Sequence, residues 1–252
     1  MSSRRKFLSR AFIIGGATVT AGCDRLSRAP WFGNLLGIGE SINRGVRSLT
    51  NTRIAMAQEF TNADLSPDFR SNGTANPNNE TYKLLAASNF VDYRLKVDGL
   101  VESQLSLSLD EIRALESRTQ ITRHDCVEGW SAIAKWKGAR LSALLDRVKP
   151  TPRARYVVFH CADSLDQEGA PYYESIDMDD ARHEQTILAY ELNDAVLPVK
   201  NGAPIRLRVE RQLGYKMAKY VMRIELVESF AHIGQGSGGY WEDQGYQWYA
   251  GI

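Results

Sequence analysis

Tyr93-Arg94-Leu95-Lys96-Val97-Asp98-Gly99 alternates apolar and polar side chains and stops at Asp-Gly, which predicts a half-buried strand and a turn. Ser108 then stands as an N-cap before Leu109-Asp110-Glu111-Ile112-Arg113-Ala114-Leu115, a short helix with acids in its first turn. Gln120 to His124 reads as a strand running into Cys126, and Leu141 to Val148 carries apolar residues at helical spacing. Tyr156 to Cys161 is a buried strand. Thr186 to Tyr190 is an apolar run whose type the pattern leaves open. Ile205 to Glu210 alternates without a break, with Arg206, Arg208 and Glu210 on one face, and Tyr220 to Val227 is a further strand. Short helices among more numerous strands predict an α+β fold in a single domain.

Outside these elements, Asn72 to Asn79 is turn chemistry throughout, hence a loop. Phe32 to Leu49 has weak amphipathic character broken by Gly33, Gly37, Gly39 and Gly45, so residues 24–65 are expected to be a spacer before a domain at 66–252. Five of the last 13 residues are aromatic (Tyr240, Trp241, Tyr246, Trp248, Tyr249), and their apolar surface needs burying.

Residues 1–23 read as an address. Arg4-Arg5 precedes Ala11 to Ala21, a stretch of apolar, small and hydroxyl-bearing residues too short to span a bilayer. This is the layout of a twin-arginine export signal, which implies the twin-arginine translocase as a partner and a periplasmic location. Thr20-Ala21-Gly22-Cys23 has the form of a lipobox, with lipidation of Cys23 and a soluble form cut near Ala21 as the two outcomes.

Composition narrows the classes further. Lys+Arg 31 against Asp+Glu 30 gives no support to nucleic-acid binding. No 18-residue apolar run exists, which excludes a polytopic membrane protein. Cys23, Cys126 and Cys161 are too few for a disulfide framework or a four-thiolate cluster, and no Cys-x-x-Cys-His occurs to attach haem.

Cys126 lies in Arg123-His124-Asp125-Cys126-Val127-Glu128-Gly129-Trp130-Ser131, at a strand end followed by a turn. Three roles fit it: a nucleophile activated by His124, a single thiolate on a soft metal centre completed by a cofactor, or a small buried hydrophobe. Asn201-Gly202-Ala203-Pro204-Ile205-Arg206 and Gly214-Tyr215-Lys216-Met217-Ala218-Lys219 bring turns and cations of the kind that hold a phosphate, or form a solvated basic face.

The ordered set Cys126 to Ser131, Trp136-Lys137-Gly138, Leu188 to Asn193, Asn201 to Leu207 and Gly214-Tyr215-Lys216-x-x-Lys219 resembles the molybdopterin-binding domain of the sulfite oxidase family. The closer similarity is to its exported bacterial branch, which includes the catalytic subunit of the periplasmic methionine sulfoxide reductase. It covers roughly Pro67 to Val227. The resemblance implies a sulfite-oxidase-type fold with mixed sheets, a barrel-like β core and short helices, and Mo-molybdopterin as cofactor. Cys126 would be the thiolate on molybdenum. Asn201 and Arg206 would hold the pterin and its phosphate, with Met217, Ala218 and Lys219 beside them and Asn72 as an upstream contact. Cys161 falls where the methionine sulfoxide reductases have a cofactor-contacting threonine, and Glu210 where relatives often carry proline. These are two departures from the pattern.

His124, Glu128, Asp125 and His160 are candidates for placing protons or substrate near the metal, while His183 reads as a surface residue. Typical sulfite oxidases have arginine-rich residues after the molybdenum cysteine; here Val127-Glu128-Gly129-Trp130 follows. A carboxylate and an indole disfavour a dianion. The expected activity is therefore two-electron oxygen-atom transfer that reduces a small-molecule S-oxide or N-oxide, with a membrane b-type cytochrome supplying electrons. A sulfite dehydrogenase, an exported binding module on the same fold and a cysteine hydrolase are the competing functions.

Overall fold

The computed structural model describes residues 55–165 and 169–252. The export signal, Cys23 and the Phe32–Leu49 stretch lie outside the described residues.

Two sheets organise the described chain. The first runs β2-β1-β10-β5-β6, from β1 (Leu95–Gly99), β2 (Leu105–Leu107), β5 (Tyr156–Ser164), β6 (Pro171–Asp177) and β10 (Val221–Val227). The second runs β3-β4-β7-β8, from β3 (Ser117–Asp125), β4 (Ser131–Arg140), β7 (Ile187–Leu192) and β8 (Ala195–Val196), with β9 (Arg206–Arg208) also paired to β7. β1 and β10 are parallel. Neither sheet closes on itself, so the expected barrel-like core is two open sheets. Closure is not needed here to bury their apolar faces, because both contribute to one core: Val97, Phe159 and Ile224 from the first join Leu188, Tyr190 and Leu207 from the second.

Local chemistry explains the helices. In α3 (Leu141–Val148) the residues Leu141, Leu144, Leu145 and Val148 recur at helical spacing and are all fully buried. Each is worth roughly 1.5–3 kcal/mol of apolar burial. The helix ends at Lys149, whose left-handed backbone (φ 52°) lets its N–H reach Leu145 O. In α2 (Leu109–Arg113) Ser108 Oγ accepts from Glu111 N and Glu111 Oε2 accepts from Ser108 N, so the N-cap expected at Ser108 is one half of a capping box. α1 (Glu80–Ala87) starts where the turn-rich stretch ends: Asn79 Oδ1 accepts from Tyr82 N at 3.0 Å. Tyr82 is fully buried and donates to Ala203 O at 2.6 Å, which ties this helix to the loop before β9. Two further short helices are α4 (Met178–Ala181) and α5 (Tyr240–Asp243).

Two expectations change. His183 is 6% exposed rather than a surface residue, because its Nδ1 accepts from Gln185 N in the turn after α4. Arg206, Arg208 and Glu210 do share a face, but none is more than 2% exposed. Arg208 forks onto Glu210 through Nε (2.8 Å) and Nη2 (2.6 Å), Gln120 Nε2 donates to the same carboxylate, and the Trp136 ring lies 4.5 Å from the Arg208 guanidinium. A strand pattern shows which side chains share a face; the charge partners on other strands decide whether that face is wet.

Candidate functional site

The site begins at the β3–β4 hairpin. The last pair of the ladder is Asp125 opposite Ser131, and Ser131 Oγ donates to Asp125 Oδ1 at 2.5 Å. Cys126 is the first residue of the connecting loop. Its N–H donates to Trp130 O (2.9 Å) and its carbonyl accepts from Gly129 N (3.0 Å). Gly129 sits at φ +84°, a conformation that favours glycine. The loop therefore fixes Cys126 at the end of a rigid strand pair. Burial raises the thiol pKa, the Glu128 N–H opposes the rise, the Glu128 carboxylate adds to it, and Arg70 and Arg206 counter it.

Cys126 opens on a cleft. Asn72, Glu128, Arg206, Met217 and Lys219 line it with Cys126, so six of the candidate residues converge there. Asp163, Gly214, Tyr172, Tyr215 and Trp241 line it as well. Four candidates stand behind the walls. His124 is fully buried next to Met217, with Nδ1 3.2 Å from its sulfur. Asn201 is buried, and its carbonyl accepts from Arg206 Nη1 at 3.2 Å. Ala218 is buried and accepts from Leu207 N at 2.8 Å. Cys161 sits in the apolar core with its sulfur 3.9 Å from Phe159 O, and burial holds its thiol pKa well above the usual value. His160 is not brought to the cleft: it faces Glu225 on the first sheet, at 2.9 Å.

His124 Nδ1 accepts from Arg208 Nη1 at 3.0 Å, which leaves the ring proton on Nε2. Burial, then Arg208, Arg206 and Lys219, drive its pKa well below the usual histidine value. No hydrogen bond joins His124 to Cys126 among the described residues, which removes the geometric basis for a cysteine–histidine hydrolase. Gly214 is required beside this ring, since a Cβ there would collide with His124 Cε1 and Nε2.

Lys219 donates to Asn72 O (2.6 Å), Thr74 O (2.5 Å) and Lys200 O (3.3 Å), clamping two loops of the cleft together. Burial and neighbouring Arg206 draw its pKa down to about 7. Arg206 is drawn down to about 9 by burial and Arg208, and so stays charged at neutral pH. Burial lifts Asp163 to about 6 against the pull of Lys219.

Ten buried side-chain polar atoms have no hydrogen-bond partner among the described residues, and five belong here: Asn72 Oδ1, Asp163 Oδ1, Arg206 Nε, Asn201 Nδ2 and His124 Nε2. Folded proteins pair nearly all such atoms, so a cluster of them marks a ligand position. Donors (Arg206, Asn201), acceptors (Asn72, Asp163), a second cation (Lys219) and a soft thiol (Cys126) together suit a polar, phosphate-bearing heterocycle that carries a metal.

Residues 83–232 match the family described as the oxidoreductase molybdopterin binding domain. The chain belongs to that family. It is 36% identical over 251 residues to YedZ1 of Azospira oryzae, a candidate protein-methionine-sulfoxide reductase subunit; the alignment covers 100% of this chain and 88% of that protein. It is 40% identical over 145 residues to the protein-methionine-sulfoxide reductase catalytic subunit MsrP of Xanthomonas campestris, across 54% of this chain and 45% of that one. Among solved structures, the sulfane dehydrogenase SoxCD from Paracoccus pantotrophus aligns with TM-score 0.49 and 22% identity over 55% of this chain and 39% of that one. The family makes the chain a molybdopterin-binding oxidoreductase with the α+β fold expected of it.

Sequence reasoning missed Asp163, which lies two residues beyond Cys161 near the end of β5, where the pairing with β6 is irregular. It read Lys216 as a cation of a phosphate site or of a solvated basic face, whereas the side chain is fully buried between the carboxylates of Glu174 and Glu242. Nothing local in the sequence links those three positions.

Proposed function

We propose that this chain is an exported molybdenum-dependent reductase that removes oxygen from organic sulfoxides. The observation that carries the reading is the cleft at Cys126, which divides into a polar interior and a weakly charged rim. The interior holds Arg206, Lys219, Asn72 and Asp163, with Asn201 buried behind them, the residues that would grip the pterin and its phosphate; Cys126 would supply the thiolate. When bound, the molybdenum cofactor supplies two-electron redox chemistry at a centre able to exchange an oxygen atom.

The chain's own residues do the rest. The hairpin fixes Cys126, the Lys219 clamp fixes the loop at Asn72, and the Arg208–His124 contact fixes the ring behind Met217. At the rim, Val127 is 45% exposed and Glu128 accepts from Trp130 Nε1 at 3.0 Å. Tyr172, Tyr215 and Trp241 complete it. A carboxylate among apolar groups repels a dianion such as sulfite and accepts a neutral sulfoxide. In reduction the S–O bond breaks, sulfur takes two electrons, and the oxygen leaves as water with two protons. We place the enzyme in the periplasm, on the twin-arginine layout of residues 1–23, with a membrane b-type cytochrome as electron donor.

The test is a steady-state comparison of the protein expressed in a host that makes the cofactor. Reduced viologen with methionine sulfoxide is expected to turn over with kcat/KM at least ~100-fold above sulfite oxidation by ferricyanide, a gap of about 2.7 kcal/mol in transition-state stabilisation. Sulfite oxidation without sulfoxide reduction would contradict the reading.

A further inference from the structure

The family match ends at residue 232, and the chain beyond it supplies part of the cleft. Trp241, in α5, lines the same cleft as Cys126. Its ring packs between Tyr240 (5.4 Å between centroids) and Tyr246 (5.2 Å). The row continues onto the body through Tyr172 against Tyr240 (5.6 Å) and Tyr215 against Tyr246 (5.3 Å). Tyr172 and Tyr215 also line the cleft, so three residues of this row form one wall of it.

The wall is fastened. Lys216 pairs with Glu242 in α5 and with Glu174 in β6, all three buried. Tyr215 Oη donates to Gln247 O and Tyr173 Oη to Asp243 Oδ2, both at 2.6 Å. Leu213 N donates to Ala250 O at 2.9 Å. Burying two carboxylates around one ammonium is costly and needs strong positioning in return. A fastened aromatic wall is pre-organised for binding, so it loses little freedom when a ligand packs on it.

Aromatic faces attract polarisable sulfur and apolar groups and offer little to a small, strongly hydrated solute. We propose that Trp241 is the specificity-determining contact of this cleft: it holds the hydrocarbon arms of a bound sulfoxide and selects sulfoxides with one extended apolar or aryl arm over compact acceptors. The assignment rests on the sulfoxide-reductase reading. It concerns binding and leaves the redox step to the residues and cofactor at Cys126.

The experiment uses full-length, cofactor-loaded protein in the viologen assay, with methyl p-tolyl sulfoxide and dimethyl sulfoxide as probes. Trp241→Ala is expected to raise KM for the aryl sulfoxide roughly 10-fold, by loss of ring contact, with kcat, molybdenum content and KM for dimethyl sulfoxide changed by less than about 2-fold. Trp241→Phe is expected to restore most of the affinity, and Trp241→Leu, which keeps bulk but removes the aromatic face, is expected to raise KM for the aryl sulfoxide several-fold and carries the test if the alanine variant does not fold. An unchanged KM, or equal changes for both probes, would overturn the assignment. Turnover of neither sulfoxide by the wild type would overturn the underlying reading, and the assignment with it. Turnover of both by the wild type with no Trp241 effect would overturn the assignment alone.

Discussion

Strands β9 and β10 carry similar strings, Arg206-Leu207-Arg208 and Arg223-Ile224-Glu225, and the fold uses them in opposite ways. On β10 every charge finds a partner. Arg223 bonds Asp98 through Nε (3.0 Å) and Nη2 (2.8 Å), Lys96 adds a second cation at 2.8 Å, and Glu225 receives Arg223 and His160. The Arg223 side chain is 34% exposed, and this cluster is a satisfied patch on a sheet face. On β9 the charges are buried, and Arg206 has one bond, to a carbonyl, and an unpaired Nε, with aromatic rings of Trp136 and Phe69 nearby. Charge alternation alone does not separate the two. Unpaired polarity clustered around a cleft does, because such atoms need a partner from outside the chain.

The sharpest way to break this comparison is to remove the same group from both strands. Arg206→Met is expected to lower retained pterin by ~10-fold or more, the usual penalty for losing a cofactor's outer contacts, while the protein stays folded. Arg223→Met is expected to keep the full pterin content and to lose about 1–2 kcal/mol of stability, since it strands buried Asp98 beside only Lys96. Pterin fluorescence after acid release and denaturant midpoints read both effects. Equal pterin loss in the two variants would erase the distinction.

How far the site was legible follows the same line. The strand end and turn at Cys126, the Ser108 N-cap, the α3 stripe and the β10 strand are local signals, and each appears where the sequence places it. The convergence of Asn72, Arg206 and Lys219 on Cys126 was legible only through the family resemblance, because those residues come from separate loops and strands. Glu210 looked like a departure without a role; the structure gives it Arg208, which in turn holds His124. The Lys216–Glu174–Glu242 cluster joins three elements and had no local trace at all. Cys161, read as a supporting residue behind the cofactor rather than a direct contact, sits in the core two residues before Asp163, and the irregular β5–β6 pairing between His160 and Ser164 separates the two.

A smaller effect sharpens the comparison through pH. Burial raises the Asp98 pKa, but hydrogen bonds from Arg223 and Lys96 outweigh it and leave the carboxyl below its usual value. Its contribution to stability is therefore present above the unfolded value near 4 and is lost as pH falls through the folded one. Asp163 runs the other way. Its folded pKa, about 6, exceeds the unfolded value, so stability falls as pH rises from the unfolded value to the folded one and is then level. In cofactor-free protein, Asp163→Asn is expected to stabilise at pH 7 by on the order of 2 kcal/mol, with the gain fading by about pH 4. Asp98→Asn is expected to destabilise at pH 7. Denaturant midpoints across that range check both signs, and the same sign for both variants at pH 7 would break the contrast.

The measurement that tests the central claim most directly is the molybdenum and pterin content of the purified protein beside Cys126→Ala, both expressed in a host that makes the cofactor. The account predicts one molybdenum and one pterin per chain in the wild type, and a changed metal absorption spectrum with no sulfoxide turnover in the variant. A wild type that is folded, metal-free and pterin-free, or a variant with the wild-type metal spectrum, would contradict it.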